Sequence, residues 1–137
     1  MIHINTGILP VFFFISYSRY FSKKNMAKVI LDTIQPREVV PGYMARFVHT
    51  PNMTFSYLEV KAGAALPEHS HPHEQVAHVL QGEFQLTLAG EPIRFVPGEI
   101  VVIPSNVPHS GLAITDCVLL DVFNPVREDY RALSEQR

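Results

Sequence analysis

The chain has 137 residues, 47% hydrophobic and 18% charged, with a formal net charge of -2 and a pI near 6.4. That length holds one domain with one sizeable core, and so little basic charge argues against a nucleic-acid partner. The single cysteine, Cys117, excludes an internal disulfide framework.

Residues 1–25 differ in character from the rest. Ile8–Tyr17 (ILPVFFFISY) is apolar, but its ten residues fall short of the ~20 that span a membrane. No A-x-A cleavage pattern follows, so a signal peptide fits poorly; a cytoplasmic protein without membrane association is expected. The segment reads as an N-terminal extension, with Met26 as an alternative initiator. The competing reading is a strand that pairs with a partner subunit. A single functional domain is expected over residues 26–137.

Downstream, short apolar runs alternate with turn residues. Thr54–Lys61, Val76–Leu80, Glu83–Leu88, Ile93–Val96, Ile100–Ile103 and Val118–Phe123 are the strand candidates. Gln81-Gly82 and Ala89-Gly90-Glu91-Pro92 punctuate them as turns, the second closing a hairpin. Eleven prolines suit many short strands and oppose a helical bundle. Cys117 opens an apolar run and reads as a small buried thiol. At the C-terminus, Asn124-Pro125 predicts a helix cap and first turn, with Val126–Gln136 as a short helix and Val126, Tyr130 and Leu133 as its apolar stripe. The fold class is all-β, a sandwich or small barrel.

Within this frame lie two glycine-bounded blocks. The first runs from Gly63 through His69-Ser70-His71 and Gln75 to Gly82; the second runs from Gly98 through Pro104 and Asn106 to His109. Imidazoles are mostly neutral at pH 7 and bind divalent transition metals well. Two of them at i and i+2 on an extended segment share a face.

These blocks resemble the paired motifs of the cupin superfamily, a double-stranded β-helix (jelly-roll) barrel. The resemblance runs over about Val60 to Val122. Gln75 stands where that family usually has Glu, and Asn106 where it usually has Gly. The strings HSHPHEQ (69–75), PSNVPHSG (104–111) and LDVFNPVREDY (120–130) resemble more closely the small cupins of pectin degradation, which linearise 4,5-unsaturated uronates. That resemblance implies one divalent transition metal ion (Ni, Zn, Mn or Fe) held by His69, His71, Gln75 and His109. It also implies a pocket lined by Asp121, Phe123 and Arg127, a small-molecule sugar-acid substrate and a homodimer.

The residues carry their own chemistry beside this. Three imidazoles and an amide are all neutral, so a bound ion keeps its full charge and suits Lewis-acid work on an anionic ligand. The alternative ligands to Gln75 are His73 and Glu74. His73 itself stays open between a partner that orients a ligand, a surface residue and a competing ligand; His78 is expected to face away. Asp121 and Phe123 share a strand face with Leu119, where Asp121 is either exposed at a barrel edge or a pocket acid or base. Arg127 is expected in the first turn of the helix, where a cation is disfavoured, which hints at carboxylate binding. Glu128 and Asp129 suit that position without a functional role. The predicted reaction is ring opening and ketonisation of an unsaturated uronate, with Asp121 and Arg127 catalytic, and Arg127 and Phe123 binding substrate. The alternatives are a metal-dependent sugar isomerase or dioxygenase, or a non-catalytic small-molecule-binding cupin.

Overall fold

Alternation of inward and outward side chains builds ten β-strands, which the computed structural model describes within residues 27–136. The expected N-terminal extension lies outside those residues. In chain order the strands are β1 (Arg37–Val40), β2 (Tyr43–His49), β3 (Thr54–Val60), β4 (Ala65–His69) and β5 (Glu74–Gln81). They continue as β6 (Phe84–Leu88), β7 (Glu91–Phe95), β8 (Ile100–Ile103), β9 (His109–Ala113) and β10 (Cys117–Asn124), followed by one helix, α1 (Glu128–Glu135). Six strands form one sheet in the order β1-β2-β3-β10-β5-β8, and four form the other in the order β4-β9-β6-β7. Every pairing is antiparallel. The all-β jelly-roll reading holds.

The core lies between the sheets. Tyr43, Ala45, Leu58, Val79, Ile103 and Leu119 point inward from the larger sheet and meet Phe84, Leu86 and Phe95 from the smaller. Burying one such large side chain contributes roughly 1.5–3 kcal/mol. Cys117 is buried there too, its Sγ donating to the carbonyls of Glu83 and Thr115.

All six expected strands form, with ends shifted by a residue or two. The hairpin between β6 and β7 turns on Ala89 and Gly90, both at positive φ (46° and 86°), as a tight two-residue turn requires. Pro92 is tolerated because β7 is a sheet edge. Four strands carry no clear signal. In β4, Pro67 sits on an edge strand; in β9, Gly111 packs so close that a Cβ would lie 2.7 Å from the Phe84 ring.

The helix start is a correction. Asn124 does not cap; it ends β10, paired with Glu74, and its side-chain amide donates to the Asn52 carbonyl. A residue held in the ladder cannot also cap a helix. The helix begins at Glu128, with Arg127 in extended conformation at the cap position and no side-chain capping bond. Tyr130 and Leu133 do form an apolar stripe against the core, and the Tyr130 ring stacks on Phe47 of β2 at 4.7 Å.

Interior polarity changes along the barrel. Inward positions on β3 run Thr54, Ser56, Leu58, Val60; those on β10 run Phe123, Asp121, Leu119, Cys117. Antiparallel pairing sets Thr54 beside Phe123 and Val60 beside Cys117. One end is therefore polar inside and the other apolar. The polar end holds the site.

Candidate metal centre and pocket

Strand pairing, more than spacing, brings the histidines together. His69 at the end of β4 lies directly opposite His109 at the start of β9. His71 follows in the connection to β5, its ring centroid 4.9 Å from that of His109 and 5.7 Å from that of His69. The ligating nitrogens of the three lie within 4.8 Å of one another. His71 and His109 are buried, His69 half-buried.

Each ring is oriented from behind by a backbone carbonyl. His69 Nδ1 meets Pro67 O at 2.8 Å, His71 Nδ1 meets His73 O at 3.0 Å and His109 Nδ1 meets Val107 O at 2.8 Å. A carbonyl only accepts, so each Nδ1 carries the proton and each Nε2 presents its lone pair. His109 Nε2 is buried and has no hydrogen-bond partner among the described residues. His71 Nε2 lies 3.1 Å from Oε1 of the buried Gln75, which sets two acceptors face to face. Turning the amide would pair them as donor and acceptor; a shared cation satisfies both as they stand. An orphaned buried lone pair and two opposed acceptors fit a divalent ion.

Electrostatics keep the rings ready. Burial, then the nearby Arg127 charge and His109, push the His71 pKa down to about 4. Burial also lowers that of His109. Both are neutral at pH 7, the form in which an imidazole can hold a metal.

Asn106 sits at φ 64°, in the left-handed region. After Gly, Asn and Asp tolerate that conformation best, which accounts for the departure from Gly at this position. Its N–H donates to His71 O at 2.8 Å, and Ser105 Oγ donates to Pro72 O, so the two glycine-bounded blocks are tied together. His73 is resolved as well. Its carbonyl holds His71, and its Nε2 meets the Val126 carbonyl at 3.2 Å, linking the histidine loop to the segment before α1. His78 points outward, with its Nδ1 3.2 Å from the Leu120 carbonyl.

Beneath the histidines is a small cavity whose lining includes Gln75, His109, Asp121, Ser56, Tyr43 and Tyr130. Asp121 thus faces the barrel interior rather than an exposed edge. Burial pushes its pKa up to about 7, against the lowering effects of a hydrogen bond from Gln75 and the Arg127 charge. The same burial, with Asp121 nearby, raises the Tyr43 phenol. Phe123 is buried edge-on to His71, with centroids 5.6 Å apart.

Arg127 is 7% exposed, its guanidinium carbon 4.9 Å from the Phe123 ring centroid and 4.0 Å from that of Tyr130. Two of its nitrogens are already engaged: Nε donates to Asp129 Oδ1 at 2.9 Å and Nη2 to Oδ2 at 2.6 Å. Burial opposes the arginine charge, but the bonds to Asp129 hold its pKa above the ordinary value. Asp129, expected to suit the first turn of the helix without a functional role, is the partner of the Arg127 guanidinium. Thr54 was also missed; its Oγ1 accepts from Arg127 N at 3.0 Å and pairs with His49 Nδ1 at 2.9 Å. One signal for it stands in the sequence: in Thr54-Phe55-Ser56-Tyr57, the polar residues face in and the aromatics face out.

A two-sheet antiparallel barrel with three converging imidazoles at its polar end defines a class. The chain belongs to the cupin superfamily, and residues 56–123 match the cupin domain family. It is similar to a pectin degradation protein, KdgF, of Dickeya dadantii, with 31% identity over 70 residues; the match takes in 50% of this chain and 64% of that protein, just under two thirds of its length. The solved structure of KdgF from a Halomonas species superposes with a TM-score of 0.72 at 30% identity, over 77% of this chain and 98% of that one. An RmlC-like cupin from Shewanella frigidimarina superposes at 0.70 with 24% identity, over 74% and 93%, which speaks for the fold alone. No helix among the described residues is long and apolar enough to cross a membrane.

Proposed function

We propose that this cupin converts 4,5-unsaturated uronate monosaccharides, released in pectin or alginate breakdown, into the linear 5-keto-4-deoxyuronate. One observation carries the reading. Three converging imidazoles, a carboxyl group with a raised pKa and a buried arginine meet at the same end of the barrel. The similarity to two KdgF proteins supports the pectin side of it.

His69, His71, His109 and Gln75 would hold one divalent ion, of which Ni, Zn, Mn and Fe all accept such a set. Bound by four neutral groups, that ion keeps its whole charge and supplies electrostatic stabilisation to negative charge developing on an anionic substrate. Arg127 binds the substrate carboxylate, and the Phe123 ring walls the apolar side of the sugar. Asp121 takes the proton of the C1 hydroxyl as the C1–O5 bond breaks and C1 becomes the aldehyde. The electron pair stays on O5, leaving an enolate across O5, C5 and C4. Protonation at C4 from Asp121 then gives the 5-ketone, so the reaction is an isomerisation with no redox partner. A carboxyl group with a pKa near 7 serves as both base and acid at neutral pH.

The test is ultraviolet absorbance of the conjugated double bond in fresh lyase products. The protein is expected to speed its loss, metal stripping to abolish the effect, and one of the four ions to restore it. Asp121→Ala is expected to lower kcat by at least about 100-fold with the protein still folded. Turnover unchanged by Asp121→Ala sinks the proton-shuttle role. Oxygen consumption by an iron-loaded protein favours a dioxygenase instead.

We also read the chain as a homodimer. On the outer face of the six-stranded sheet, Val102, Val76, Val122, Phe55 and Val48 are successive cross-strand partners, an apolar row over five strands. It ends at the open edge strand β8, where Ile100 and Val102 are 57% and 52% exposed. A second copy presenting the same edge would cover it.

A further inference from the structure

We propose that Asp129 is a positioning residue for substrate binding: it occupies one edge of the Arg127 guanidinium and thereby holds the other edge for a substrate carboxylate. The inference rests on the reading of Arg127 as the carboxylate-binding residue.

A guanidinium carries five N–H donors along two usable edges. The side edge, made by Nε and one hydrogen of Nη2, is taken by the two oxygens of Asp129 at 2.9 and 2.6 Å. The end edge keeps both hydrogens of Nη1 and the second hydrogen of Nη2. Nη1 is buried and has no hydrogen-bond partner among the described residues. A buried donor left unpaired costs about 1–3 kcal/mol, so Nη1 is a standing demand for an acceptor. Two parallel bonds to a carboxylate satisfy it.

Rotation of the group is restricted on every side. The Tyr130 and Phe123 rings pack against it, Thr54 holds its backbone N–H, and Asp129 fixes its plane. Asp129 is free to do this because it lies in the first turn of α1, where the helix dipole favours a carboxylate, with its side chain 60% exposed. The pair therefore divides the labour: the exposed acid orients, and the buried base binds. A one-carboxylate ligand with a planar terminal group is the class this edge selects.

The experiment compares Asp129→Ala, Asp129→Asn and Asp129→Glu with the wild type in two measurements. In steady-state ketonisation of unsaturated galacturonate, Asp129→Ala and Asp129→Asn are expected to raise KM about tenfold while kcat falls less than threefold. Asp129→Glu returns a carboxylate and is expected to recover part of the loss. In nitrogen-15 spectra of the metal-loaded protein without substrate, the Arg127 Nε–H signal is expected to exchange slowly in the wild type and quickly in Asp129→Ala. Should Asp129→Ala fail to fold, Asp129→Asn, which keeps the shape, decides. A KM that falls on removing the carboxylate would make Asp129 a competitor of the substrate and overturn the proposal. An Nε–H signal indifferent to Asp129 overturns it as well. If the signal responds but the wild type does not turn over the uronate, the positioning stands and the substrate assignment falls.

Discussion

At the scale of single residues, the site is an arrangement of lone pairs made available by proton placement elsewhere. Three backbone carbonyls take the Nδ1 protons of His69, His71 and His109, and the Nε2 atoms are left to converge. The same economy holds at Arg127, whose Nε and Nη2 are taken by Asp129 while Nη1 has no hydrogen-bond partner among the described residues. That pair has a pH signature. The bonds to Arg127 hold the Asp129 carboxyl below the usual carboxylate range. A depressed folded pKa means that the stabilisation is complete above the unfolded value of about 4 and is lost as pH falls through the folded one. Because the Asp129 side chain is 60% exposed, the amount is small, within about 1 kcal/mol. Urea midpoints at about pH 6 are expected to be lower for Asp129→Asn than for the wild type. The gap is expected to narrow as pH falls below about 4, and a gap independent of pH contradicts the pairing.

Among the elements, the turns do as much as the strands to place chemistry. Gly82 opens the connection between β5 and β6 at φ 87°, and a Cβ there would lie 2.3 Å from the Asp116 carbonyl and 2.7 Å from Thr115 Oγ1. Backbone cannot yield as a flexible side chain does. Gly82→Ala is therefore expected to cost at least about 2 kcal/mol, read as a lower urea midpoint with an unchanged slope. Asn106 solves a similar problem differently, its left-handed backbone accepted by a residue type that tolerates it while its N–H ties down His71. Helix α1 starts late because Asn124 is held in the β10 ladder, and that delay leaves Arg127 extended at the cap, directed by Asp129.

For the whole molecule, two gradients matter. Along the barrel axis the interior passes from Thr54, Ser56 and Asp121 to Leu58, Val60 and Cys117, so polar chemistry is confined to one end and packing to the other. Across the outer sheet, the apolar row ending at β8 is surface that a lone copy would leave wet. Light scattering is expected to give twice the 15.5 kDa chain mass. Ile100→Lys combined with Val102→Lys is expected to reduce it to one chain without unfolding the barrel. A wild-type mass of a single chain removes the homodimer reading.

How much of this was legible beforehand follows from what a local pattern can encode. The clean alternation of β6 and the apolar-rich runs of β3 and β10 could be read directly, and the two glycine-bounded blocks marked the histidines, because these patterns and turn chemistry act over a few residues. β4 and β9 could not, since Pro67 and Gly111 weaken the local signal and only edge placement and close packing against Phe84 explain them. That Asp121 shares a face with Phe123 followed from parity, but that this face is the barrel interior, and that burial raises the Asp121 pKa, needed the surrounding walls. The sequence by itself determined the all-β class and marked the histidines that converge, because these reside in residue types at short spacing. Only the tertiary structure decided that His69 faces His109 across a ladder, that Asp129 takes one edge of Arg127, and that Thr54 anchors the helix cap. Those contacts depend on strand register and helix start, which long-range packing sets and no short window contains.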